Sequence, residues 1–209
     1  MMNYIIGVDL DNTIVSYDSL IHRVALGCGF INENAKKSKK YISGLIRQLP
    51  DGEKKWQELQ AIVYGQRIKE AQLIRGVEQF FKLCQKNRVK VYIISHKTEF
   101  VNYCGARINL RASALDWMES KKFFKDEGLS LSRNNIYFGA TRKWKIRFIK
   151  KLRCTHFIDD LEETFIEDSF PQGVEKILYD PHGEGLHLQG VKIFNKWEDI
   201  NGYFFKSRK

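Results

Sequence analysis

Three side chains near the N-terminus, Asp9, Asp11 and Thr13, have the types and spacing needed for chemistry at phosphorus. A carboxylate can attack phosphorus and carry the phosphoryl group as an aspartyl-phosphate. A second carboxylate can give a proton to the leaving oxygen and later take one from water. A neighbouring hydroxyl can bind a phosphoryl oxygen. Carboxylates facing a phosphate repel it, so a cation is required, and all-oxygen ligands suit Mg²⁺. The three residues follow Ile5-Ile6-Gly7-Val8, an apolar run that reads as a strand. Asp9 and Asp11 are two apart and share one face of an extended segment, while Leu10 faces the other way and can return to the core. Carboxylates beside a core are costly unless partnered, so other parts of the chain must supply those partners.

Three later stretches fit that need. Val89-Lys90-Val91-Tyr92-Ile93-Ile94-Ser95 is a β-rich run ending in a hydroxyl. Ala140-Thr141-Arg142-Lys143-Trp144-Lys145 places lysines at a helix start. His156-Phe157-Ile158-Asp159-Asp160 is a strand ending in an acidic pair. One DxDxT pattern recurs by chance, but four stretches in order, each at a strand end or helix start, form a specific signal. In them the chain resembles the haloacid-dehalogenase-like (HAD) superfamily, over residues 4–17 and 74–200.

The resemblance implies roles. Asp9 is the expected nucleophile and Asp11 the general acid/base, whose main-chain carbonyl also ligates Mg²⁺. Ser95 binds a phosphoryl oxygen, and Thr13 supports the turn of the first motif. Lys143 is preferred as the lysine that stabilises charge on the phosphorylated aspartate, because it falls in the first helical turn; Lys145 is the second choice. Asp160 takes the direct metal position and Asp159 a water-mediated or lysine-pairing one, so the metal set is Asp9, Asp11, Asp159 and Asp160. An acid at position 11 separates phosphatases and sugar-phosphate mutases from the dehalogenase branch and the cation pumps. The implied function is Mg²⁺-dependent hydrolysis of a small phosphorylated metabolite or nucleotide. Its alternatives are a nucleic-acid end phosphatase, a sugar-phosphate mutase and a non-catalytic phosphate-binding module.

Positioning these residues requires a sheet. The apolar strands alternate with helix-period segments such as Gly76–Asn87, where Val77, Phe80, Phe81 and Cys84 share one face. The expected fold is α/β, a three-layer Rossmann-like arrangement with a mainly parallel sheet, whose ligands bind at the carboxyl ends of the strands. Residues 16–75 read as a mostly helical insert, with candidates over 19–28, 34–48 and 53–74. By the resemblance this is a C1-type cap, and 1–15 with 76–209 form the core. Thr98 is expected to cap a helix over 100–108, and Thr141 a helix over 142–152 with Trp144, Phe148 and Leu152 as its buried stripe.

Composition sets the remaining bounds. The chain has 209 residues, 43% hydrophobic and 29% charged, enough for one substantial core and a small insert. No apolar run approaches the roughly 20 residues of a membrane helix, and no secretion signal is recognisable. Cys28, Cys84, Cys104 and Cys154 are widely spaced and read as reduced thiols of a cytoplasmic protein. The net charge of +10 favours anionic partners. The basic clusters at 36–40 and 142–153 read as solvated helix faces rather than a nucleic-acid footprint. The expected partner is a small phosphorylated substrate; oligomeric state is not encoded in any readable way.

Overall fold

In a parallel sheet both faces are covered, so the strands are apolar along their length. Ile6 and Val8 in the first strand and Val91–Ser95 in the fourth are all buried. The computed structural model describes residues 4–103 and 106–206. The described residues form ten strands: β1 (Ile5–Val8), β2 (Val15–Ser16), β3 (Gln72–Leu73), β4 (Lys90–His96), β5 (Phe100–Tyr103), β6 (Ala106–Asn109), β7 (Ile136–Gly139), β8 (His156–Asp159), β9 (Glu175–Tyr179) and β10 (Val191–Phe194). The α-helices are α1 (Asp18–Gly27), α2 (Lys39–Arg47), α3 (Gly52–Ala61), α4 (Val77–Lys86), α5 (Leu110–Ser120), α6 (Arg142–Lys151), α7 (Glu162–Phe165) and α8 (Trp197–Phe205).

Six strands form the central sheet in the order β10-β9-β8-β1-β4-β7, parallel in every pairing. The chain proceeds from β1 outward through β4 to β7, then returns to β8 on the other side of β1. The switch point therefore lies between β1 and β8, where open α/β sheets place their ligands. Gly7 pairs in register with Phe157 across this junction. A Cβ at Gly7 would lie 2.6 Å from the Phe157 ring, so only glycine lets the ring cover the strand.

The chain divides into two compact units. The first contains the central sheet and runs through Val15, over Leu73–Lys97 and onward from Lys122. Its aromatic packing includes Phe80 against Trp197 and Phe204. The second comprises Ser16–Gln72 and Thr98–Lys121. In it the Tyr17 and Tyr64 rings meet edge to face, and the buried Trp117 indole donates to the Ala71 carbonyl at 3.0 Å.

Several elements differ from the sequence expectation. Residues 98–121, assigned to the core, cluster instead with the 16–72 segment. The helix expected over 100–108 is an antiparallel hairpin, β5 with β6, pairing Phe100 with Asn109 and Val101 with Ile108. Aromatic and β-branched residues, which fit a pleated surface, prevail there over the capping signal of Thr98. The single long helix expected over 53–74 ends at Ala61 and continues as a π turn over Ile62–Gln66 and a 3₁₀ turn over Ile68–Glu70. Gly65 in that turn sits where a Cβ would meet Ile108 at 2.6 Å.

Cys84 and Cys154 are buried free thiols and Cys28 is an exposed one, while Cys104 lies outside the described residues. Burial pushes the Cys154 thiol up to about 12 and raises Cys84 as well, which makes both unreactive. Among the described residues no helix is long and apolar enough to cross a membrane.

Candidate active site

The turn leaving β1 is set by its own backbone. Ile14 and Val15 both donate to the Leu10 carbonyl, and Asn12 donates to Val15 at 2.8 Å. Asn12 takes a left-handed conformation with φ 59°, which asparagine tolerates better than most residues. Leu10 is fully buried, as its strand position requires. Asp9 donates its amide to the Ile158 carbonyl at 2.9 Å, which locks the motif to the end of β8.

Two lysines meet the aspartates. The Lys145 ammonium lies 2.7 Å from Asp9 Oδ1 and 2.5 Å from Asp159 Oδ2, and all three side chains are almost fully buried. The Lys97 ammonium lies 2.7 Å from Asp11 Oδ2. Asp159 also accepts from the Leu161 amide, so both its oxygens have partners. Asp160 Oδ1 accepts from the Thr13 hydroxyl at 3.3 Å, and the Thr13 carbonyl accepts from the buried Trp197 indole. Oxygens of Asp9, Asp159 and Asp160 lie within 4.8 Å of one another.

Burial pushes the Asp9 carboxyl up to about 6; the Lys145 ammonium opposes this, and the charges of Asp159 and Asp11 add to it. Burial alone would lower Lys145, but the Asp159 and Asp9 carboxylates outweigh it and hold the ammonium above the ordinary lysine range. Near pH 7 Asp9 is therefore mostly ionised and Lys145 charged.

Lys145 reaches its place through α6. Thr141 caps that helix, its hydroxyl accepting from the Trp144 amide, as expected. The buried face is Lys145, Ile146 and Ile149, not the expected stripe of Trp144, Phe148 and Leu152, which is only partly covered. Lys143, the preferred lysine, is exposed. The lysine in contact with the aspartates is Lys145, a correction of one helical face.

Ser95 is 1% exposed, and its hydroxyl is buried without a hydrogen-bond partner. Asn12 has its amide nitrogen and oxygen in the same condition. His96, beside Ser95, bonds through Nε2 to the Ala140 carbonyl at 2.9 Å and so ties β4 to the turn that starts α6. Lys97 had no place in the sequence expectation. Its signal is the strand period: Ser95 and Lys97 are two apart, and both are buried while His96 between them is exposed.

No protein-family model and no curated protein matches the sequence. Solved structures do match. One is a HAD hydrolase of family IA, variant 3, from Entamoeba histolytica, with 13% identity and a TM-score of 0.59 over 94% of this chain and 95% of that one. A haloacid dehalogenase-like family hydrolase from Streptococcus pneumoniae has 17% identity and a TM-score of 0.59 over 97% and 99%. A HAD family hydrolase from Deinococcus radiodurans, solved with bound phosphate and sodium, has 13% identity and a TM-score of 0.58 over 97% and 95%. Sheet order, switch point and near-complete coverage agree: the chain has the fold of the haloacid-dehalogenase-like (HAD) hydrolases.

Proposed function

We propose that the protein is a Mg²⁺-dependent phosphomonoester hydrolase working through an aspartyl-phosphate on Asp9. The observation that carries this reading is that each acid of the first motif faces its own buried lysine, beside a buried serine hydroxyl with no partner. An Asp9 oxygen attacks phosphorus, and the bond from phosphorus to the leaving oxygen breaks as Asp11 gives that oxygen a proton. Asp11 then takes a proton from the water that attacks the phosphoaspartate, releasing phosphate and regenerating both carboxyl groups. Lys145 stabilises charge at Asp9 throughout, and the Ser95 hydroxyl donates to a phosphoryl oxygen.

The donor set fits a hard divalent cation, since the clustered groups are carboxylates, with neither thiolate nor imidazole among them. Asp9, Asp159 and Asp160 outnumber the ammonium that touches them, Lys145, and a divalent cation would offset the excess. Asp9 and Asp160 would hold it together with the Asp11 carbonyl, while Asp159 is occupied with Lys145. Bound Mg²⁺ would supply charge neutralisation at the phosphoryl oxygens. The acid at position 11 favours an alkyl oxygen leaving group over a halide, because an alkoxide needs a proton as it departs and a halide does not.

The test is phosphate release from 4-nitrophenyl phosphate, glycerol 3-phosphate, sugar phosphates and nucleoside monophosphates, with Mg²⁺ and with EDTA. Turnover is expected only with the metal. Asp9→Asn is expected to abolish it, and full turnover by that variant would refute the aspartyl-phosphate route. A preference for oligonucleotide phosphates, weakening steeply with salt, would instead select the end-processing alternative.

A further inference from the structure

We propose that Lys97 is a positioning residue for proton transfer to the leaving group, acting through Asp11. The inference rests on the phosphatase reading above and assigns a part of that site which the first-motif residues do not explain. Lys97 ends the β4 run two residues beyond Ser95. Its amide donates to the Gly139 carbonyl at 2.7 Å, and its ammonium lies 2.7 Å from Asp11 Oδ2.

The two partners differ in exposure. The Lys97 side chain is 2% exposed and that of Asp11 17%. Asp11 is therefore the member that faces substrate, and Lys97 stands behind it. The burial is also the reverse of what stability alone would select. A partly exposed aspartate at a turn is tolerated without a partner, whereas a buried ammonium is costly and requires one. Lys97 thus adds a costly group next to an acid that could do without it for folding. What the pair supplies is geometry: one Asp11 oxygen is fixed by a charged hydrogen bond, so the carboxyl plane cannot rotate and the other oxygen keeps a constant direction. Proton transfer needs that direction, because donor and acceptor must approach to hydrogen-bond distance along a line.

The backbone around Lys97 serves the same end. His96 bonds to the Ala140 carbonyl and Lys97 to the Gly139 carbonyl, so the end of β4 is stapled to the turn that starts α6. That helix carries Lys145. One rigid joint therefore aims both ammoniums, one at the nucleophile Asp9 and the other at the acid Asp11.

The role predicts a dependence on the leaving group that a merely structural lysine would not produce. An alkyl oxygen must be protonated as it departs, whereas 4-nitrophenolate departs unprotonated. Lys97→Met is expected to lower kcat on glycerol 3-phosphate about 100-fold, within the range for loss of general-acid catalysis, and on 4-nitrophenyl phosphate only about 3-fold. Inhibition by inorganic phosphate, which needs no proton transfer, should move by less than about 3-fold. Lys97→Arg, which keeps the charged hydrogen bond, should restore part of the alkyl rate. Asp11→Asn should show the same split between leaving groups, and the Lys97→Met/Asp11→Asn double variant should lose no more than Asp11→Asn alone.

The double variant also removes the buried charge pair as a unit, so it reads out even where Lys97→Met folds poorly. Equal losses on the two esters, or a double variant whose losses multiply, would overturn the role of Lys97 while leaving the phosphatase reading intact. A wild-type protein that releases phosphate from none of the esters would overturn both.

Discussion

Lys143 and Lys145 are two positions apart on α6, and their environments are opposite. Lys143 shares its row with Arg147 and Lys150, and all three are exposed. Lys145 shares its row with Ile149, and both are buried. Lys145→Met would leave Asp9 and Asp159 buried without their ammonium, an expected loss of about 3–5 kcal/mol by urea unfolding, together with loss of phosphate release. Lys143→Met should change stability by less than about 0.5 kcal/mol and leave turnover unchanged. A turnover defect in the second variant would return the catalytic assignment to Lys143. The helix row was readable in advance: Ile149 four residues after Lys145 marks an inward face, and the basic row through Lys143 marks an outward one. The bulky aromatics Trp144 and Phe148 drew the expected stripe to the wrong side because they stack on each other while partly covered.

At the scale of elements, the approach of β7 to α6 is the feature that aims Lys145. Gly139 ends β7, and a Cβ there would lie 1.9 Å from the Trp144 ring. Gly139→Ala must therefore shift the first turn of α6, at an expected cost of about 1–3 kcal/mol in urea unfolding. Turnover should fall with it, because the next residue after Trp144 is Lys145. Retention of both would show that the ring can swing away without moving the helix. The strands themselves were legible, since apolar runs ending in acids or a hydroxyl have few other readings in an alternating α/β chain. The hairpin at 100–109 was not, because a threonine before an apolar run signals a helix cap as readily as a strand start, and only pairing in three dimensions decides. The acidic pair was legible as a pair. Its division of labour came from the resemblance rather than from spacing: Asp159, expected in a water-mediated or lysine-pairing place, pairs with Lys145, and Asp160 accepts from Thr13.

The whole molecule carries the cost of its buried acid as a pH dependence. Folded Asp9 keeps its proton up to about pH 6, whereas the unfolded chain releases it near 3.8. Between these values the folded state binds more protons, so this carboxyl destabilises the fold progressively as pH rises through that window. The difference is on the order of 3 kcal/mol. In EDTA, urea unfolding of the wild type from pH 3.5 to 8 should show this decline relative to Asp9→Asn, which has no such carboxyl. Parallel curves for the two proteins would show that Lys145 fully offsets the burial of Asp9.

The placement of β8 beside β1 has a further consequence for biosynthesis. Asp9 meets Asp159, which lies 150 positions further along the chain, and Lys145 comes only slightly earlier. At roughly 5–20 residues per second, the first motif leaves the ribosome about 7–30 s before its partners exist. Until then its carboxylates are stable only in water, so β1 cannot settle in the middle of a sheet. Chains that stop short of β8 thus lack the acidic pair and cannot complete the site.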